Sequence, residues 1–216
     1  MATLKNGNQI PLNGKVGFFV YSSNKSPIAT NPTQLRLTKE RIFPKKKSDS
    51  KFNFLKAYIA EILPYIRLGF KNYHNGWTSY QAAMSYNFKH SVLEKESRFE
   101  LNWEKFSISR GFENPIQDVK INLCHDSDSF RISWDYDKVL SSAYGMEGYR
   151  IMILLQPEIN GPNKIYGMVN GNLLVERQQQ LFLRKHNKNA IYHMYVAFLS
   201  NDGSYNCTNS LYLGEI

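Results

Sequence analysis

Seven short apolar runs, separated by Asp, Asn, Gly and Ser, fill the last hundred or so residues of this 216-residue chain and constrain its fold more than any other feature. They cover residues 119–124, 130–134, 149–155, 164–169, 180–183, 191–199 and 208–213. Runs of strand length at such close spacing, bounded by turn-forming residues, are the pattern of an all-β sandwich. Arg131-Ile132-Ser133-Trp134 and the run from Tyr192 to Phe198 alternate in the way two packed sheets require. Residues 113–216 are therefore expected to form a seven-stranded antiparallel β-sandwich of the immunoglobulin or fibronectin type III kind.

The period changes upstream. Phe52, Leu55, Ile59, Ile62, Leu63, Ile66 and Phe70 recur every three or four residues, which places them on one face of an α-helix over about 50–70. Ser48, Asp49 and Ser50 offer capping side chains before it, and Pro64 should interrupt its last turns. A second helix is expected over about 78–90, with Tyr80, Ala83, Met84 and Phe88 at helical spacing. Gly7, Pro11, Gly14, Gly17, Pro27 and Pro32 punctuate short strands around the apolar patch at residues 16–21. A helical turn over 34–41, stopped by Pro44, and a strand over 101–108 complete the expectation. The fold class is α+β, mainly β: a strand and two-helix region over 1–112, then the sandwich over 113–216.

Charge is unevenly spread. The chain carries 27 Lys+Arg against 18 Asp+Glu, a net charge of +9. Residues 1–56 contain eleven of the basic residues and only Glu40 and Asp49 as acids, so the remainder is neutral. Any electrostatic role belongs to that segment. Arg36, Lys39, Arg41, Lys45, Lys46 and Lys47 are the candidate contacts for an anionic partner, with Tyr21 and Phe43 available to stack on bases. A solvated loop after Pro44 has the same composition.

Aromatic content of 14% argues for a folded chain. Cys124 and Cys207 cannot make a disulfide framework and leave at most a single bridge. No run approaches the 18 or so apolar residues of a membrane span, and no apolar leader opens the chain. A cytoplasmic protein is expected, with signal-independent export as the other route.

Met1-Ala2-Thr3-Leu4-Lys5-Asn6-Gly7, Gly14-Lys15-Val16-Gly17, Ile66-Arg67-Leu68-Gly69-Phe70-Lys71-Asn72-Tyr73 and Ala82-Ala83-Met84-Ser85-Tyr86-Asn87 resemble a family common in Bacteroidetes, the DUF6266 group of unknown function. Phe198-Leu199-Ser200-Asn201-Asp202-Gly203 and Asn209-Ser210-Leu211-Tyr212-Leu213-Gly214 resemble that family's last two strands. The resemblance spans nearly the whole chain and departs over residues 21–42, where the family has a glycine-containing, arginine-bearing hairpin. It implies fold and lineage, and brings no activity, cofactor or catalytic residue.

Catalytic signatures are missing: no Gly-x-x-x-x-Gly-Lys, Gly-x-Gly-x-x-Gly, Gly-x-Ser-x-Gly or His-Glu-x-x-His occurs. Cys124-His125-Asp126-Ser127-Asp128 looks reactive, but neighbours on a strand face opposite ways, and the acids suit a polar turn. His74, His90, His186 and His193 lack the convergent spacing of zinc ligands. Glu94, Glu96, Glu100 and Glu104 are interspersed with Lys95, Arg98 and Lys105, which predicts mutual pairing on a solvated stretch. The sequons Asn24-Lys25-Ser26 and Asn206-Cys207-Thr208 read as chance without a secretory route.

These readings lead to a non-enzymatic binding or structural protein with no catalytic residue, cofactor or metal. The sandwich is its interaction module, and a protein or glycan its partner. Its expected contacts are loops at one end of the sandwich, residues 141–148 and 160–163. The alternative is a nucleic-acid-binding protein using the basic segment over 36–47.

Overall fold

The computed structural model describes residues 14–16, 19–22, 25–29, 44–95, 98–124, 129–157, 164–183 and 191–216. The chain divides into two compact units, Met1–Lys47 and Ser48–Ile216. In the first, the apolar patch over 16–21 is shared between strands β1 (Gly14–Val16) and β2 (Phe19–Ser22), which pair with Val16 opposite Phe19. Strand β3 (Lys25–Ala29) extends this antiparallel sheet in the order β1-β2-β3. The helical turn expected over 34–41 lies outside the described residues.

Pro44 opens a helix: α1 runs Pro44–Glu61. A first-turn proline forfeits only an N–H that would have no helical partner there, and its fixed φ already suits the helix. Ser48, Asp49 and Ser50 therefore lie inside α1, not before it. Pro64 has the expected effect. The helical path breaks at Ile62, and α2 (Leu63–Gly69) restarts with the proline in its first turn. Leu55, Ile59, Ile62, Ile66 and Phe70 are all buried, whereas Phe52 stands outside that face.

Helix α3 (Ser79–His90) begins at a reciprocal cap: the Gln81 N–H donates to Thr78 Oγ1 at 3.2 Å, and the Thr78 N–H donates to Gln81 Oε1 at 3.0 Å. Its buried residues are Ala82, Ala83, Met84 and Asn87. The strand expected over 101–108 is displaced. Leu101 is the last residue of β5 (Arg98–Leu101), which forms a hairpin with β4 (Val92–Lys95), and the chain beyond runs without a strand to β6. Side chains of Asn87 and Ser210 take the backbone groups of residues 107 and 108 that a strand partner would have taken.

The seven sandwich strands form as expected. Strands β6 (Ile116–Cys124), β7 (Ser129–Tyr136) and β10 (Gln178–Phe182) make one antiparallel sheet in the order β10-β7-β6. Strands β8 (Arg150–Pro157), β9 (Tyr166–Met168), β11 (Tyr192–Leu199) and β12 (Leu211–Glu215) make the other, in the order β12-β11-β8-β9. Between the sheets lie Ile132, Trp134, Ile151, Ile153, Leu155, Val196 and Phe198.

The second face of the four-stranded sheet is also covered. Met152, Leu154, Tyr195, Ala197 and Leu199 share a core with Leu55, Ile59, Ile66 and Phe70 of the helices. The unit thus has three layers: helices, a four-stranded sheet and a three-stranded sheet. This explains why residues 151–155 read as an unbroken apolar run, since a strand buried on both faces has no polar side to alternate with. Residues 112 and 113 fall inside this second unit.

Of the two loops expected to contact a partner, one lies among the described residues. Residues 141–148 carry the end of helix α4 (Lys138–Ala143) and a 3-10 turn (Met146–Gly148) immediately before β8, with Asp137 capping α4. Residues 160–163 fall outside the described residues, in the connection that leaves the far end of β8 for β9.

Candidate functional site: two cavities flanking helix α3

Helix α3 places Tyr80, Met84 and Phe88 in one stripe, because i, i+4 and i+8 fall on the same face. With Phe52 of α1 and Trp77, this stripe lines an open groove of about 580 Å³. Phe52 is 43% exposed and Trp77 46%. Trp77 stacks on His74, with ring centroids 4.4 Å apart, and Lys51 Nζ sits 4.4 Å over the Phe88 ring. Lys89 is also among its lining residues.

Lys89 also borders a second cavity of about 420 Å³, at the C-terminal end of α3. His90, Lys105 and Arg110 supply its other basic side chains, Glu104 its acid, and Phe106, Ser107 and Ser210 part of its wall. Tyr86 organises this cavity, with the Arg110 guanidinium 4.5 Å from its ring centroid and the His90 ring 4.6 Å away.

Few of the residues singled out from sequence converge. Arg36, Lys39 and Arg41 lie outside the described residues. Lys45, Lys46 and Lys47 fall in the first two turns of α1, so a helix replaces the loop expected after Pro44. His186, residues 125–128 and Glu96 also lie outside the described residues. Glu100 pairs with Lys95 at 2.5 Å and Arg98 at 2.8 Å, as the interspersed charges predicted, and the Lys95 hydrogen bond is the main cause holding its carboxyl below the usual range. Glu104 is not part of that set and reaches the basic cavity instead.

His193 is strongly perturbed by its surroundings. It is 1% exposed on β11, stacked on Trp103 with centroids 3.7 Å apart, and its Nδ1 lies 2.9 Å from the Tyr212 hydroxyl. Burial pulls its pKa down to about 4, so it is neutral at physiological pH. Its Nε2 has no hydrogen-bond partner, nor does either amide atom of Gln156, its cross-strand neighbour on β8. An enclosed imidazole of this kind is a packing element rather than a reachable base.

Cys207 is a free, buried thiol that donates to the Gly69 carbonyl at 3.2 Å and the Arg110 carbonyl at 3.4 Å. Burial pushes its pKa up to about 12, which leaves it unreactive as a nucleophile. Asn206 accepts from Asn72 Nδ2 at 3.2 Å, and Thr208 is fully buried, so this sequon is folded into a packed seam. Among the described residues, no group of three or more His, Cys, Asp or Glu side chains could hold a metal ion, and no helix is long and apolar enough to cross a membrane.

The basic cavity was hidden from sequence reasoning because its cations come from the end of α3 and from the strandless segment after β5. Only the displaced strand over 101–108 brings Lys105 and Arg110 to Lys89 and His90. No curated protein matches the chain. The model of a family of unknown function, DUF6266, matches residues 12–214, and the chain belongs to that family.

Proposed function

We propose that the protein is a non-enzymatic interaction protein in which a fibronectin type III-like sandwich is the scaffold and the aromatic groove between α1 and α3 faces the partner. The order of three strands against four supports the comparison with that class of module. The groove carries the functional reading: Phe52 and Trp77 remain open to solvent beside a partly buried Tyr80, although α1 buries Leu55 and Ile59 and α3 buries Ala82 and Ala83. Exposed aromatic side chains in a concave surface are typical binding anchors. Lys51 and Lys89 at the rim favour an acidic segment carrying apolar side chains, and so a polypeptide partner in the cytoplasm.

Photocrosslinking from position 81 in the native host, which the resemblance places in Bacteroidetes, tests this. One protein adduct should recur and disappear in Trp77→Ala. Loss of an anchor of this size should cost about 2 kcal/mol or more, a fall in affinity of roughly thirtyfold. No recurring adduct, or an adduct to glycan, would overturn the assignment.

The charge distribution favours a second reading. Eleven basic residues against two acids within residues 1–56 suit a polyanion. If that segment binds nucleic acid, a gel shift should weaken between 50 and 200 mM salt and should be lost when Lys45, Lys46 and Lys47 are all alanine, consistent with counterion release at roughly these concentrations. No shift at low salt would end this reading.

A further inference from the structure

We propose that the cavity at the C-terminal end of α3 is a binding site for a small ligand carrying an oxyanion head, a phosphate ester or a carboxylate, held by Lys89, Lys105 and Arg110 with His90 beside them. This site shares Lys89 with the partner-facing groove, is otherwise lined by different residues, and stands whether or not a protein docks there.

The charges are the first argument. Lys89, Lys105 and Arg110 bring three basic side chains around one cavity, and none forms an ion pair among the described residues. Glu104, the single acid in the lining, forms none either. Three like charges gathered around one concavity repel one another, and a bound anion would remove that cost. The end of a helix accounts for only part of the arrangement. Basic side chains in the last turn of α3 suit its dipole, which accounts for Lys89 and His90. It does not explain Lys105 and Arg110, which belong to another segment.

Preorganisation is the second argument. The Arg110 N–H donates to the Gly69 carbonyl at 2.9 Å, and its own carbonyl accepts from Cys207 Sγ, so its backbone is held from both sides. Its guanidinium lies on the Tyr86 ring, which is itself fixed between Phe70, Tyr73 and His90. A planar guanidinium held on an aromatic face retains in-plane N–H groups for a bidentate oxyanion, and it loses little entropy in binding one.

The cavity wall shows which groups remain for a ligand. Ser107 Oγ donates to the Ser109 carbonyl at 2.8 Å, so its contact with Ser210 Oγ at 2.9 Å must be donated by Ser210. Ser210 Oγ also accepts from the Ile108 N–H at 3.1 Å. Both hydroxyl protons are spent internally, which leaves recognition to the basic side chains. A volume of about 420 Å³ lies within the range of small-molecule sites, with room for an organic body behind the charged head.

Phenyl phosphate, benzoate and benzyl alcohol share a ring and differ in the head, so they test the assignment directly. Each would be titrated into the full chain with backbone amide shifts as readout. An anionic probe should saturate, with the largest shifts at residues 86–90 and 104–111, and should weaken with added salt. Whether phenyl phosphate, benzoate or both saturate identifies the head group, and either supports the site. Lys105→Ala and Arg110→Gln should each weaken binding at least tenfold while Trp77→Ala leaves it unchanged, which separates this site from the groove. Lys105 is exposed, so its alanine variant keeps the test valid should Arg110→Gln fail to fold. The proposal fails if neither anion saturates, if benzyl alcohol binds as tightly, or if Lys105→Ala binds like the parent chain.

Discussion

Asn87→Ala should lower the melting temperature by roughly 8–16 °C, the shift that about 4 kcal/mol produces in a domain of 150–250 residues. Asn87 is fully buried on α3 and bonds in two directions. Its Nδ2 donates to the Ala83 carbonyl at 3.1 Å and the Ser107 carbonyl at 2.9 Å, and its Oδ1 accepts from the Ser107 N–H at 2.8 Å. The amide thus acts as a strand edge for residue 107, which has no sheet to join. Alanine leaves a buried N–H and a buried carbonyl without their Asn87 bonds, at about 1–3 kcal/mol each. Asn87→Asp should fare no better, because a carboxylate cannot donate to Ser107 and would be charged in a closed site. Thermal melts of the three chains decide the matter. A shift under about 2 °C for Asn87→Ala, the effect of roughly half to one kcal/mol, would show that residue 107 does not depend on this side chain.

Acid should weaken the fold through His193 before the carboxylates titrate. An unfolded chain takes up this proton near the ordinary histidine pKa of about 6.5, whereas burial holds the folded value at about 4. Above pH 6.5 both states are neutral there and the group gives no pH dependence. Between 6.5 and 4 the unfolded state binds more protons, so stability falls as pH falls, by about 1.4 kcal/mol per unit. The loss levels off below 4, at a total on the order of 3 kcal/mol. Trp103 and Tyr212 face the ring, and Glu215 lies opposite it across the strand pair. Urea unfolding at pH 4, 5, 6 and 7 should show this slope in the parent chain and a much flatter one in His193→Phe, which keeps the stack on Trp103. Equal slopes in the two chains would rule His193 out as the source.

Much of the architecture was legible because its signals are local. All seven sandwich strands follow from apolar runs and turn residues, and the break near Pro64 follows from proline's missing N–H. Other features depend on partners remote in sequence. Leu101 to Ile108 has the composition of a strand, but Asn87 and Ser210 supply the hydrogen bonds for its later residues. Pro44 can end one helix or begin another, and only the path of the following chain distinguishes the two. Phe52 and Phe88 keep the spacing of a buried face and line an open groove instead, since periodicity gives a shared side of a helix but not what covers it. The basic cavity draws on residues 89, 90, 105 and 110, a grouping with no linear motif.

Cys207 sits where three stretches of chain meet. Its sulfur is closed over by the Gly69 and Arg110 carbonyls, and its own carbonyl accepts from the Phe112 N–H at 2.9 Å. At Gly111 even a methyl group would collide with that carbonyl, so the closeness of the seam depends on a bare backbone. The sulfur is therefore a latch indicator already built into the chain. A thiol reagent reaches it only when the connection before β12 lifts from the end of α2, and its rate of modification times how often that happens without any added label.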